Sequence, residues 1–98
     1  MITEIVEFQV KPGTADKFIE GVRASRPIFE RSAGFISLEL HHTIENPLVF
    51  VLLIKWESVA HHMDMFQKSP EFALWRANVG EYFAEKPRLQ HSETKLSY

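Results

Sequence analysis

Histidine is the side chain best suited to moving protons near neutral pH, since its unperturbed pKa is about 6.5. This chain has five: the adjacent pairs His41–His42 and His61–His62, and His91 alone. The second pair lies in FVLLIKWESVAHHMDMFQKSPEFALW, where a solid apolar run gives way to polar sequence, with Trp56, Phe66, Phe72 and Trp75 close by. A base beside aromatic walls suits general acid–base chemistry on a flat, poorly hydrated molecule. Adjacent histidines on a helix point in different directions and do not readily chelate one ion. No HExxH or CxxC spacing occurs, so no metal is expected. The chain has no cysteine, which removes thiolate chemistry and disulfides. It also lacks a Gly-rich phosphate loop, a GxSxG elbow and a dinucleotide fingerprint.

Those side chains must be positioned by one small domain covering residues 1–98, of which 45% are hydrophobic and 24% charged, as in ordinary globular proteins. A domain of this size buries only about 60–70% of the surface of its unfolded chain, so oligomerisation is a natural source of further stability. The net charge of −2 and the absence of a basic run leave no footprint for nucleic acid or an anionic membrane. No apolar run approaches the roughly 20 residues of a membrane span, and MITEIVEFQV lacks the basic n-region and apolar h-region expected of a signal peptide. A soluble cytoplasmic protein is the expectation.

Alternation of apolar residues predicts a strand over 2–10, with Val6, Phe8 and Val10 on one face and Ile5, Glu7 and Gln9 on the other. Lys11-Pro12-Gly13 breaks it, and Thr14 can cap the helix that follows, which Pro27 should interrupt. After Gly34, residues 35–44 alternate as a second strand whose Ile36, Leu38, Leu40, His42 and Ile44 face should pack against helices. Glu45-Asn46-Pro47 reads as a tight turn into an almost wholly apolar third strand over 48–56. Ser58 caps a short helix, Ser69-Pro70-Glu71 opens another, and residues 88–96 alternate as a fourth strand. The order β-α-β-β-α-β predicts a ferredoxin-like α+β fold with an antiparallel sheet.

VKPG after the first strand, AGFISLEL, KWES, FQKSPEFALW and a final strand holding His91 after YFAEKP together resemble the antibiotic biosynthesis monooxygenase (ABM) domain of the dimeric α+β barrel superfamily. The resemblance covers nearly the whole chain. It implies a homodimer whose sheets pair into a barrel, with a pocket between sheet and helices in each protomer. It also implies oxidation of a small aromatic, quinol-like or polyketide-like substrate by dioxygen, with no cofactor. A phenol or hydroxyquinone that is held and deprotonated becomes electron-rich enough to reduce dioxygen, so the protein need supply only binding, orientation and a base. Haem-degrading relatives carry asparagine, tryptophan and histidine where this chain has Val6, Phe66 and Arg76, so haem oxygenation is not implied. Many quinol-type relatives have a histidine where Phe66 stands.

On a helix after Ser58, Val59, Met63 and Phe66 define a buried face; at roughly 100° per residue, His62 falls about 60° from it and His61 about 160°. His62 is therefore the expected base at the pocket edge, with a backbone-bonded boundary histidine as the alternative, and His61 is expected in water. His91 shares a face with Leu89, Glu93 and Lys95 and is the second catalytic candidate, as substrate ligand or proton shuttle. Trp56, Phe66, Phe72 and Trp75 are expected pocket walls, and Tyr82 a hydroxyl that orients the substrate, each with core or edge packing as its bland alternative. His41 and His42, on opposite strand faces, are expected to be structural. A non-catalytic small-molecule-binding or stress-related dimer, or an isomerase or lyase using the same base, fits the same residues. A histidine facing the pocket beside a polar partner separates a catalyst from a mere binder.

Overall fold

Period-two alternation makes four strands. The computed structural model, which describes residues 1–98, joins them as β1 (Ile2–Gln9), β2 (Phe35–His42), β3 (Val49–Trp56) and β4 (Arg88–Ser92). They pair antiparallel in the order β2-β3-β1-β4. Helices α1 (Ala15–Ala24), α2 (Arg26–Glu30) and α3 (Pro70–Val79) lie on one side, completing a ferredoxin-like α+β fold. Val6, Phe8, Phe50, Leu52, Ile54 and Trp56 from the sheet pack against Phe18, Val22, Phe29, Trp75 and Val79 from the helices. The other sheet face carries half-buried Ile5, Val49, Val51 and Leu53 and no helix.

Two close approaches fix the helices. At Gly21 an added Cβ would sit 2.5 Å from the Asn78 carbonyl oxygen, so only glycine lets α1 and α3 cross there. Beside it, Asn78 Nδ2 donates to Ser25 Oγ at 2.9 Å, and Ser25 Oγ donates to the Gly21 carbonyl at 2.8 Å. Ser25 also ends α1 and starts α2, where Pro27 is accommodated in the first turn, so the proline divides the predicted helix in two.

Several boundaries depart from the alternation. β1 stops at Gln9, with Val10 making an isolated bridge to Phe83, and β4 stops at Ser92 rather than 96. A bulge between Phe35 and Ser37 breaks the period of β2. Phe35 then joins Leu38 and Leu40 against the core, while Ile36 turns out to 45% exposure. Thr14 and Ser69 hold N-cap positions but turn their hydroxyls back to the Lys11 and Phe66 carbonyls, at 2.6 Å each, instead of capping forward.

Candidate active site

The chemistry-bearing side chains meet where β1, β4 and the turn after β3 converge. Glu4 lies on the helix-facing side of β1, directly opposite Ile54 of β3 and His91 of β4. It is only 4% exposed, a carboxyl set into an apolar row. Trp56 at the end of β3 donates its indole N–H to Glu4 Oε1 at 2.9 Å. His62 Nε2 approaches the same oxygen at 3.3 Å, and His62 Nδ1 lies 2.8 Å from His91 Nε2. The His62 ring stacks on Trp56, centroids 5.6 Å apart and planes 21° apart. The result is a continuous line, Trp56–Glu4–His62–His91, running from the core to half-buried His91.

Local backbone explains why His62 reaches Glu4. Residues His61–Phe66 form a π-helical turn, closed in part by the Gln67 N–H on the His62 carbonyl at 2.9 Å. The wider i→i+5 turn brings residues four apart nearly onto one line and swings residues three apart off it. His62 and Phe66 are consequently buried together, whereas Val59 is 42% exposed and Met63 half-buried. This corrects the expected Val59, Met63 and Phe66 face, which rested on α-helical spacing. The turn is anchored by His61, which is not in water as expected. Its backbone N–H is capped by Ser58 Oγ at 3.2 Å, its Nδ1 lies 2.8 Å from that hydroxyl, and its ring packs on Gly34, whose φ of +81° and missing Cβ make room.

Burial sets the charges. Desolvation pushes the Glu4 carboxyl up to about 7, against a smaller downward pull from the Trp56 hydrogen bond. Desolvation, joined by the positive charge of His91, lowers His62 to about 4, so His62 is neutral at physiological pH. A neutral imidazole can donate from one nitrogen while accepting at the other. With Glu4 ionised, His62 Nε2–H donates to the carboxylate and Nδ1 accepts from His91. With Glu4 protonated, the same bonds reverse and His62 Nδ1–H donates to His91. A proton can thus pass between Glu4 and His91 without His62 ever holding a lasting charge.

Glu4 and His62 form one wall of a cavity of about 650 Å³. Its other walls are Val6, Phe8, Leu52 and Ile54 from the sheet, Phe29, Phe66, Phe72 and Trp75 from the helical side, and Phe83, Pro87 and Leu89 from the segment leading into β4. Of the residues expected to bind substrate, Phe66, Phe72 and Trp75 line this cavity and the other two do not. Trp56 is fully buried behind His62, acting through its N–H on Glu4. Tyr82 belongs to the short 3-10 turn Gly80–Tyr82 and packs against the core margin, away from the cavity; its carbonyl accepts the Lys11 N–H at 2.9 Å. His91 touches the cavity only through His62. His41 pairs with Glu39 at 2.8 Å, and His42 stacks on Phe50 with centroids 4.1 Å apart.

Sequence reasoning missed Glu4. The signal was present, since Glu4 continues the Val6, Phe8, Val10 face by one more step of two. A carboxyl in an apolar row is the observation that asks for a partner.

The family model for antibiotic biosynthesis monooxygenases matches residues 1–78. The chain belongs to this family. The crystal structure of a candidate ABM protein from Bordetella bronchiseptica is 41% identical, with 97% of each chain covered and a TM-score of 0.96. An uncharacterised Bacillus subtilis protein, YczJ, is 26% identical over 91 residues, 93% of this chain and 96% of its own length. SnoaB of Streptomyces nogalater, a cofactor-independent oxygenase solved as a point mutant, shares the ABM fold at a TM-score of 0.82, with 14% identity over 98% of this chain and 94% of that one. No helix of this ABM chain is long and apolar enough to cross a membrane.

Proposed function

We propose that this ABM chain is a cofactor-independent monooxygenase acting on a small aromatic, quinol-like or polyketide-like molecule. The observation that carries the proposal is the buried Glu4–His62–His91 line opening on an apolar, aromatic-walled cavity. Glu4, tuned to about 7 and lining the cavity, takes the substrate proton. His62 passes a proton on, and His91 delivers it to the surface. The substrate anion, shielded from water, then gives its electrons to dioxygen. For a ring methylene oxidised to a ketone the balance is complete: one oxygen atom enters the product, the other leaves as water, and the substrate supplies every electron. Phe66, Phe72 and Trp75 hold the ring. A histidine at the pocket beside polar partners favours catalysis over mere binding. Isomerisation or elimination would use the same proton transfer without consuming oxygen.

We also propose that two copies pair through the helix-free sheet face, where Ile5, Val51 and Leu53 present an apolar patch.

Oxygen-electrode assays over a panel of phenols, hydroquinones and anthrones test the activity. Stoichiometric oxygen uptake is expected with at least one class, reduced roughly 100-fold or more in Glu4→Gln and in His62→Ala. Full turnover in both variants removes this line from the mechanism. Product formed without oxygen uptake would mark an isomerase or lyase.

A further inference from the structure

The cavity is not electrically uniform. Its buried lining is apolar apart from Glu4 and His62, half-buried Gln67 adds an uncharged polar group, and its exposed end carries Arg76, Lys86 and Glu85. Two cations against one carboxylate give this rim a positive bias in a chain whose net charge is −2.

Arg76 is also held in a particular way. Its guanidinium carbon lies 5.4 Å from the Phe83 ring centroid and 5.9 Å from that of Phe72, and both rings line the cavity. Such cation–π contacts occupy none of the guanidinium N–H donors. Arg31, also on the α3 side of the fold, commits its donors to Glu71 at 2.6 Å, and the other ion pairs likewise leave Arg76 and Lys86 out. A planar donor fork beside two aromatic rings at the rim, with no protein acceptor, has its N–H groups available to an oxyanion.

We infer that Arg76, assisted by Lys86, forms an anion subsite, so that the ligand of this cavity is a flat aromatic molecule carrying an acidic group such as a carboxylate. The inference rests on the reading of the cavity as a site for aromatic molecules and adds the requirement for charge. The acidic group would stay at the wetted rim, where its desolvation cost is low, while the ring enters between Phe66, Phe72 and Trp75. The group thereby orients which ring edge faces Glu4, which makes Arg76 a specificity-determining residue.

Two fluorescent dyes that differ only by one sulfonate, anilinonaphthalene sulfonate and phenylnaphthylamine, separate the two claims. Both should bind the wild-type protein, the sulfonate more tightly. Arg76→Gln should weaken the sulfonate dye roughly 3- to 10-fold, as expected for a half-solvated charge-assisted contact, and leave the neutral dye unchanged. Arg76→Lys should restore part of the loss, and added salt should weaken only the sulfonate dye. If the neutral dye binds but Arg76→Gln leaves sulfonate affinity intact, the anion subsite is wrong and the aromatic cavity stands. If Arg76→Gln weakens both dyes equally, Arg76 acts only as packing for the rings and the subsite is again wrong. Binding of neither dye by the wild type overturns the aromatic cavity and the subsite together.

Discussion

Replacing Glu4 by glutamine keeps the shape and the hydrogen-bonding oxygen but removes the charge, so it isolates what burial of this carboxyl costs. The folded-state value of about 7 stands above the ordinary 4.5, meaning that the folded chain binds this proton more tightly than the unfolded chain does. Glu4 therefore costs nothing below about pH 4.5, drains stability as pH rises from there, and reaches its full cost above about pH 7. At about 1.4 kcal/mol for each pH unit between those limits, the full cost is about 3 to 4 kcal/mol. His62 has the opposite sign: its fall from 6.5 to about 4 costs stability as pH drops through that window. The two trends largely offset each other in the wild type, so its stability should change little from this pair between about pH 4 and pH 8. Glu4→Gln uncovers the histidine. It should match the wild type near pH 4 and exceed it by about 3 to 4 kcal/mol near pH 8. In urea titrations with a slope of about 1–2 kcal/mol per molar, the midpoint should rise by roughly 1.5–4 M at the alkaline end. A difference between variant and wild type that stays constant across this range would refute the placement of an ionisable Glu4 in a dry site.

Other outcomes follow from the same geometry. Oxygen uptake should rise as Glu4 loses its proton, with an inflection in kcat/KM near pH 7, and Trp56→Phe should move that inflection upward because the indole hydrogen bond holds the Glu4 value down. An inflection unmoved in Trp56→Phe would detach the indole from the base. Gly34→Ala meets both a positive φ and the His61 ring, and should cost clearly more in thermal melts than Gly13→Ala, where φ is +79° but the space is open and the cost is roughly 1–2 kcal/mol. Equal melting shifts would show that His61 does not anchor the π turn. Leu53→Glu, in the centre of the helix-free sheet face, should convert the expected dimer to monomer by light scattering at fixed concentration. An unchanged mass would move the interface elsewhere.

The order of elements was legible because alternating runs, Lys11-Pro12-Gly13, Glu45-Asn46-Pro47 and Ser69-Pro70 each act locally. A bulge or a π turn does not. The one-residue slip at Phe35–Ser37 is decided by which of Phe35 and Ile36 fits against Phe29 and Trp56, a matter of packing across the chain. The π turn likewise depends on His61 finding the hollow at Gly34, 27 positions earlier. His62 and His91 stand out as histidines, but their meeting requires the β1–β4 register that sets Glu4 opposite His91. Tyr82 attracts notice for its chemistry alone, and the isolated bridge of Val10 to Phe83 ties the chain beside it to the end of β1 instead.

That register has a consequence for the order in which the molecule is made. Of the four strands, the one holding Glu4 is made first and the one holding His91 last, and the two are side by side. Every earlier stage of synthesis exposes the Glu4 edge of β1 without its neighbour, so the path from cavity to surface closes only when the final strand docks. A nascent or truncated chain lacking β4 would hold Phe66, Phe72 and Trp75 but not His91, the proposed exit for protons. On the proposed reading of the Glu4–His62–His91 line, the domain would be inert until it is whole, and the pocket could not operate in a half-built protein.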